Sequence, residues 1–244
     1  MMDIKMLKAA LAGLVLSVSV FANAGLIVLG DVNAIALDNT GNKSLFTNIL
    51  GDDDQVLFNT KNSSYSSSLN TYYNSLAGVS TSSTSSSITS GLLSTYDLLV
   101  LDFGFTYNAV FTAQEVTALT SFMNAGNNVI FFGETGSSAG VTNFNNILTD
   151  IGSSIRFTND KTPGGFATST DIATTVLTTG VSSVKYGWAS YLTGGTSLVK
   201  HNNRSIIASE GTFHQVNATI PEPSTLAIFA LGIIGLASRK IKKQ

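Results

Sequence analysis

DLLVLDFGFTYNAVFTAQEVTALTSFMNAGNNVIFFGE, residues 97–134, decides the fold. Asp97-Leu98-Leu99-Val100-Leu101-Asp102 is an unbroken apolar run between two acids and reads as a strand buried on both faces. Thr112 and Glu115 have the spacing of a capping box. Val116, Leu119, Phe122 and Met123 then share one helical face, and Gly126 stops the helix. Val129-Ile130-Phe131-Phe132 is a second buried strand, ending at Gly133-Glu134. Two doubly buried strands joined by a capped helix form the repeating unit of a parallel sheet covered by helices.

The same alternation runs outward in both directions. Leu26-Ile27-Val28-Leu29 is a buried strand ended by Gly30-Asp31, and Lys43 to Leu50 is helical through Leu45, Phe46, Ile49 and Leu50. Gln55 to Phe58 is a short strand. Tyr65, Leu69, Tyr72, Tyr73 and Leu76 keep loose helical spacing to about Ala77. Ser80 to Ser90 is nearly all Ser and Thr, and segment 79–91 reads as a flexible loop, with O-linked sugar as the less favoured use of its hydroxyls. Val141, Phe144, Ile147, Leu148 and Ile151 mark another helix, and Ile155-Arg156-Phe157 starts a strand. Ser197–Lys200 and Ser205–Ala208 flank His201-Asn202-Asn203-Arg204, and Asn-Asn tolerates the positive φ of a tight hairpin. The expectation is an α/β fold: a flavodoxin-like parallel sheet of order 2-1-3-4-5, helices on both faces, and an antiparallel hairpin at its edge.

The two ends differ from this body. Lys5 and Lys8 precede an apolar stretch from Ala9 to Phe21, and Ala22-Asn23-Ala24 is a small-x-small cleavage site. Residues 1–24 therefore read as a secretory signal peptide, cut between Ala24 and Gly25. At the other end, Pro221-Glu222-Pro223 is a tripeptide no helix can run through. An apolar run of 14 residues follows, Thr225 to Ser238, and Arg239, Lys240, Lys242 and Lys243 close the chain. As a helix the run spans roughly 21 Å, against a bilayer core of about 30 Å. Basic residues beyond it stay on the cytoplasmic side and leave the body outside the inner membrane.

Pro-Glu-Pro, an apolar helix and a basic end, in that order, resemble the PEP-CTERM sorting signal of Gram-negative bacteria. The resemblance implies recognition by an exosortase-type membrane protease, transient residence in the inner membrane, then release to the cell surface or the medium. It also implies a setting of extracellular polysaccharide. A short helix suits a segment that is later removed. The layout is thus 1–24 signal peptide, 25–217 α/β domain and 218–244 sorting tail, with 225–238 its apolar helix and 239–244 its basic end.

Composition narrows the function. The chain has no cysteine, so it has neither a thiol nucleophile nor disulfides, and the body must be held by its core. Six of the 13 basic and two of the 15 acidic residues lie in the two ends, so the body carries 7 cations against 13 anions, a net charge of −6. That excludes nucleic acid, which needs basic clusters.

The opening LIVLGD, then YDLLVLDF, TAQEVTALTSFMNAG, NVIFFGET and the closing SLVKHNNRSIIASEG also resemble the class I glutamine amidotransferase-like superfamily. Catalytic members place a Cys at the turn after the strand equivalent to 129–132. Here that turn is Gly133-Glu134-Thr135, so the resemblance implies a non-catalytic branch.

Four groups remain as site candidates. Asp31, Asp102 and Glu134 each follow a strand, where carboxylates can converge on a cation, accept sugar hydroxyls or raise one another's pKa. The favoured reading is structural: each caps the next helix or faces solvent. Gly136-Ser137-Ser138-Ala139-Gly140 matches G-x-S-x-G, with Asp160 or Asp171 and His201 or His214 downstream, but Ser138 comes too late after its strand for an elbow. Asp52-Asp53-Asp54 lacks the alternating ligands of a calcium loop and reads as a solvated turn. Tyr186, Trp188 and Tyr191 read first as core or edge packing, with stacking on glycan, if they are exposed, as the less favoured use. The leading reading is an exported, non-enzymatic surface or matrix protein that needs no cofactor. The alternative is a carbohydrate-active or cation-dependent hydrolase using the strand-end carboxylates.

Overall fold

A computed structural model describes residues 24–213 other than Ala36, Thr106, Tyr107, Ala109 and Gly136. The described residues belong to the first of two compact units, which ends at His214. Ala22, His214, Pro221–Pro223, the apolar run 225–238 and the basic end lie outside the described residues.

The apolar runs form the strands expected of them. β1 (Leu26–Leu29), β2 (Gln55–Asn59), β4 (Leu98–Gly104) and β5 (Asn128–Gly133) are buried at almost every position. Between them run α1 (Thr40–Leu50), α2 (Ser67–Asn74), α3 (Ser90–Leu93), α4 (Ala113–Asn124) and α5 (Ser138–Asp150). The capping box is present: Thr112 Oγ1 accepts from Glu115 N–H at 3.2 Å, and Glu115 Oε2 accepts from Thr112 N–H at 3.0 Å.

Side chains alternate across the strands, so one sheet serves two cores. On the first face Ile27, Phe58, Val100 and Ile130 pack with α1, α2 and part of the C-terminal region. On the second face Val28, Leu57, Leu99 and Phe131 pack with α3, α4 and α5. Each such fully buried Leu, Ile or Phe stabilises the fold by about 1.5–3 kcal/mol. The second core is rich in aromatics: Phe103 stacks on Phe131 at 4.5 Å, and Phe131 meets Phe144 edge to face at 5.7 Å.

The sheet order is β3 (Ser80–Thr84), β2, β4, β5, β1, β11 (Arg204–Glu210), β9 (Ser190–Thr193) and β6 (Arg156–Lys161), with β10 (Thr196–His201) also paired to β11. It differs from the expected 2-1-3-4-5. β1 pairs in parallel with β5 and antiparallel with β11, so the first crossover spans β5 and β4 before reaching β2. Burial could not have revealed this, because β1 is covered on both faces wherever it sits inside the sheet. The close approach that fixes β1 involves Gly30. Its N–H donates to Ile206 O at 2.9 Å, and a Cβ there would lie 2.0 Å from Ser190 O. The connections to β2 and β3 advance one way over the first face, and those to β4 and β5 return over the second. All four crossovers therefore share one hand.

The loop expected at 79–91 is corrected. Ser80–Thr84 is β3, pairing in parallel with β2 from Gln55↔Ser80 to Asn59↔Thr84, and Ser90–Leu93 is α3. Backbone pairing at a sheet edge needs no apolar side chains, which is why composition pointed to a loop.

Beyond β1 the sheet turns antiparallel. The hairpin β10 (Thr196–His201) and β11 (Arg204–Glu210) turns through Asn202 and Asn203 at φ 49° and 62°, as the Asn-Asn pair implied. β9 (Ser190–Thr193) and β6 (Arg156–Lys161) extend the sheet past the hairpin, and β6 is antiparallel to β9 rather than part of the parallel block. β7 (Gly165–Thr168) and β8 (Ser183–Tyr186) form a separate two-stranded sheet, whose Ala167 and Val184 join the first core.

Candidate functional site

β4, β5 and β1 are adjacent, so Asp102, Glu134 and Asp31 all lie at the carboxyl end of neighbouring strands. The chain leaves β1 over the first face and β5 over the second, so the direction reverses between their carboxyl ends, where Ser190 sits: its N–H donates to Gly30 O at 2.7 Å and its Oγ accepts from Thr135 N–H at 3.0 Å. The three carboxylates do not converge as one set. Among the described residues no three His, Cys, Asp or Glu side chains group closely enough to hold a metal ion.

Asp31 is buried and fully engaged. Oδ1 accepts from Asn33 N–H at 2.8 Å and from Asn33 Nδ2 at 3.2 Å, and Oδ2 accepts from Gly187 N–H at 2.6 Å. Burial raises its pKa, and these hydrogen bonds draw it partly back.

Glu134 is buried beside it. Lys161 Nζ, at the end of β6, pairs with Oε1 at 2.9 Å, while Oε2 has no partner among the described residues. Burial raises the Glu134 pKa, Lys161 opposes that, and the charge of Asp31 adds to the rise. Thr135, next in sequence, donates its N–H to Ser190 Oγ at 3.0 Å and tethers the loop to β9.

Asp102 stands apart. Ser66 N–H donates to Oδ2 at 2.7 Å, at the start of α2, and Oδ1 has no partner among the described residues. Burial raises its pKa first, with Ser66, Ser63 and Gly104 drawing it down.

The aromatic group lies against Asp31. Gly187, which bonds Asp31, lies between Tyr186 and Trp188. Its members divide: two take the core packing favoured for them and one faces solvent. Tyr186 and Tyr191 are 7% and 6% exposed, and Trp188 is 63% exposed. The two tyrosines pack inward because strands β8 and β9 place them over the first core. Burial raises the Tyr186 pKa, Thr162 opposes, and the charges of Asp171, Tyr191 and Asp31 add to it.

His201 closes the cluster. Its Nδ1 lies 2.7 Å from Thr162 Oγ1 and 2.8 Å from Tyr191 Oη. The Arg204 guanidinium sits 3.8 Å above the Tyr191 ring and pairs with Asp160 at 2.8 Å. Lys161 and Thr162, consecutive residues, thus join the carboxylate pair to the His201–Tyr191 pair.

The remaining candidates resolve as structure. Ser137 caps α5, accepting from Gly140 N–H at 3.3 Å, and Ser138 is the first helical residue. Ser138 thus lies within a helix rather than at the turn directly after a strand, where an elbow places its Ser. Asp53 is buried rather than solvated and accepts from Asn128 Nδ2 at 2.7 Å. Sequence reading missed Lys161, because no local pattern ties it to a carboxylate 27 positions earlier. It also missed the exposed pair Tyr65 and Phe105, which carry no pattern that separates them from core residues.

The chain carries a PEP-CTERM protein-sorting motif at residues 219–243. A chain with that motif is one sorted to the cell surface or beyond by an exosortase, a membrane protease. Among the described residues no helix is long and apolar enough to cross a membrane. Among solved structures the chain is similar to a protein from Thermoplasma acidophilum described as a component of GMP synthase. The two are 14% identical over 79% of this chain and 98% of that one, with a TM-score of 0.37. The fold class is established by the sheet described above rather than by that likeness. No curated protein matches the chain.

Proposed function

We propose that this is an exported protein whose α/β body has a non-enzymatic role in an extracellular polysaccharide matrix. Its tail hands it to an exosortase-type protease in the inner membrane, and removal of the tail releases the body to the cell surface or the medium. The observation that carries the reading is the sorting motif at 219–243, which encloses Pro221-Glu222-Pro223, the apolar run and the basic end.

The engagement of the carboxylates favours a binding role over catalysis. Asp31 has fixed donors on both oxygens, and Lys161 holds one oxygen of Glu134. A second reading keeps Glu134 as an acid, because its Oε2 is unpartnered and burial and Asp31 raise its pKa. Glu134→Gln with unchanged stability and unchanged phenotype in the producing cell removes that reading.

Intact mass of the protein, measured separately from membranes and culture fluid of the native host, tests sorting. The expected species begins at Gly25, ends near Pro221 and is recovered outside the membrane fraction. A species that retains Gln244 and stays wholly in membranes overturns the reading and makes the tail a permanent anchor.

A further inference from the structure

The end of β4 has three features that its place in the sheet does not require. Its register with β5 slips between Asp102 and Gly104, so the strand holds one extra residue there, a bulge of the kind that re-aims side chains. Gly104 has φ 51°, and a Cβ there would lie 2.2 Å from Ser63 Oγ and 2.8 Å from Tyr65 Cδ2. The 60–66 loop therefore rests directly on the strand end. Beneath the same loop Asp102, 1% exposed, accepts from Ser66 N–H through Oδ2, while Oδ1 has no partner in hydrogen-bonding geometry among the described residues, although the Ser63 hydroxyl and the Gly104 N–H lie near enough to lower the carboxyl's pKa. A buried carboxylate oxygen with no donor is costly and calls for one.

Two exposed rings mark the surface above it. Tyr65 and Phe105 are 51% and 36% exposed and meet edge to face at 5.1 Å. Rings left in water at a strand's carboxyl end, next to an unsatisfied acceptor, have the two complements of a sugar: a face for its C–H surface and an acceptor for its hydroxyl.

We propose that the end of β4 is a saccharide subsite, in which a neutral hexopyranose of a polysaccharide stacks on Tyr65 and Phe105 and donates a hydroxyl to Asp102 Oδ1. Ser63 Oγ, on the rim, is a further hydroxyl partner. Oδ1 is shielded from water beneath the 60–66 loop, so binding requires that loop to shift off Gly104. Charge selects a neutral sugar. Asp102 and a body of net charge −6 repel uronates, and Lys61, the cation of the 60–66 loop, is committed to Glu115 at 2.7 Å. The proposal takes its polysaccharide from the matrix reading above but does not depend on tail processing.

The test is native gel electrophoresis of the full chain in non-ionic detergent through gels cast with galactomannan, hydroxyethylcellulose or alginate. Retardation is expected in a neutral gel and not in alginate. Tyr65→Ala and Phe105→Ala, both at exposed positions, are each expected to weaken apparent affinity about tenfold. Asp102→Asn is expected to weaken it likewise, because its amide oxygen can keep the bond from Ser66 while its NH2 replaces the acceptor. Trp188→Ala is expected to leave it unchanged. Absence of retardation in both neutral gels overturns the subsite, as does retardation that survives the Tyr65 and Phe105 variants or is strongest in alginate. Either result leaves the mass measurement, and with it the sorting reading, untouched.

Discussion

Gly187 donates its backbone N–H to Asp31 Oδ2 at 2.6 Å, across 156 positions of sequence. The bond fastens the turn after β8 to the residues after β1, and so brings Tyr186 and Trp188 to the carboxyl end of β1. Asp31 accepts on both oxygens, so Asp31→Asn points an NH2 group at a fixed donor whichever way the amide turns. We expect a loss of about 1–3 kcal/mol, measured by urea unfolding. Unchanged stability would show that these contacts do not hold Asp31 as described.

Asp102→Asn should act in the opposite direction. One oxygen accepts from Ser66 N–H and the other accepts from no described residue, so the amide keeps the first bond and removes a buried charge. The expected change at pH 7 is neutral to stabilising, by up to about 1 kcal/mol. Destabilisation like that of Asp31→Asn would mean that Oδ1 has a donor after all.

The pH dependence of stability follows from the same groups. Asp31, Asp102 and Glu134 have pKa values above their ordinary 3.8, 3.8 and 4.5. Between the ordinary and the raised value the folded chain binds more protons than the unfolded one, so these groups make stability fall as pH rises through that window. Glu115 runs the other way. Burial opposes ionisation, but Lys61 and the N–H groups of Thr112 and Ile88 outweigh it and hold the pKa below 4.5. Its contribution is present above 4.5 and is lost as pH falls through the folded value. Urea midpoints taken from pH 3 to pH 7 should show a shallower fall with rising pH for Glu134→Gln than for the native chain. They should also show a shallower acid-side loss for Glu115→Gln. Parallel curves would contradict both assignments.

Proline substitution separates a strand from a loop at 80–84. Ser80 N–H donates to Asp54 O at 2.7 Å and Thr84 O accepts from Thr60 N–H at 2.8 Å, so Ser82 also faces β2 and Ser83 faces outward. Ser82→Pro should cost about 1–3 kcal/mol by stranding an acceptor on β2. Ser83→Pro loses the exposed bond from Asn70 Nδ2 to Ser83 Oγ at 2.8 Å but no ladder bond, and should cost less than Ser82→Pro. Equal effects from the two would return the segment to a loop.

What was legible in the sequence was local. Leu98–Leu101 and Val129–Phe132 could only be strands buried on both sides, Thr112 and Glu115 only a helix start, and Asn202-Asn203 only a tight turn. Each depends on a few neighbours in the chain, and backbone sterics and hydrogen-bond spacing leave little choice at that range. The three parts of the tail were legible for a related reason: length, proline and charge act there without a fold.

Tertiary structure alone decided which strand lies beside which, and with it the candidate site. β1 looks the same to its own side chains whether it sits between β2 and β4 or beside β5, since both faces are covered in either place. Ser80–Thr84 became a strand because β2 offered unpaired backbone groups, not because its side chains asked for one. Tyr186 and Tyr191 turned inward while Trp188 stayed in water, and Lys161 found Glu134 from 27 positions away. Such choices rest on contacts between segments remote in the chain, whose energies depend on shape, burial and partner geometry that no local pattern encodes.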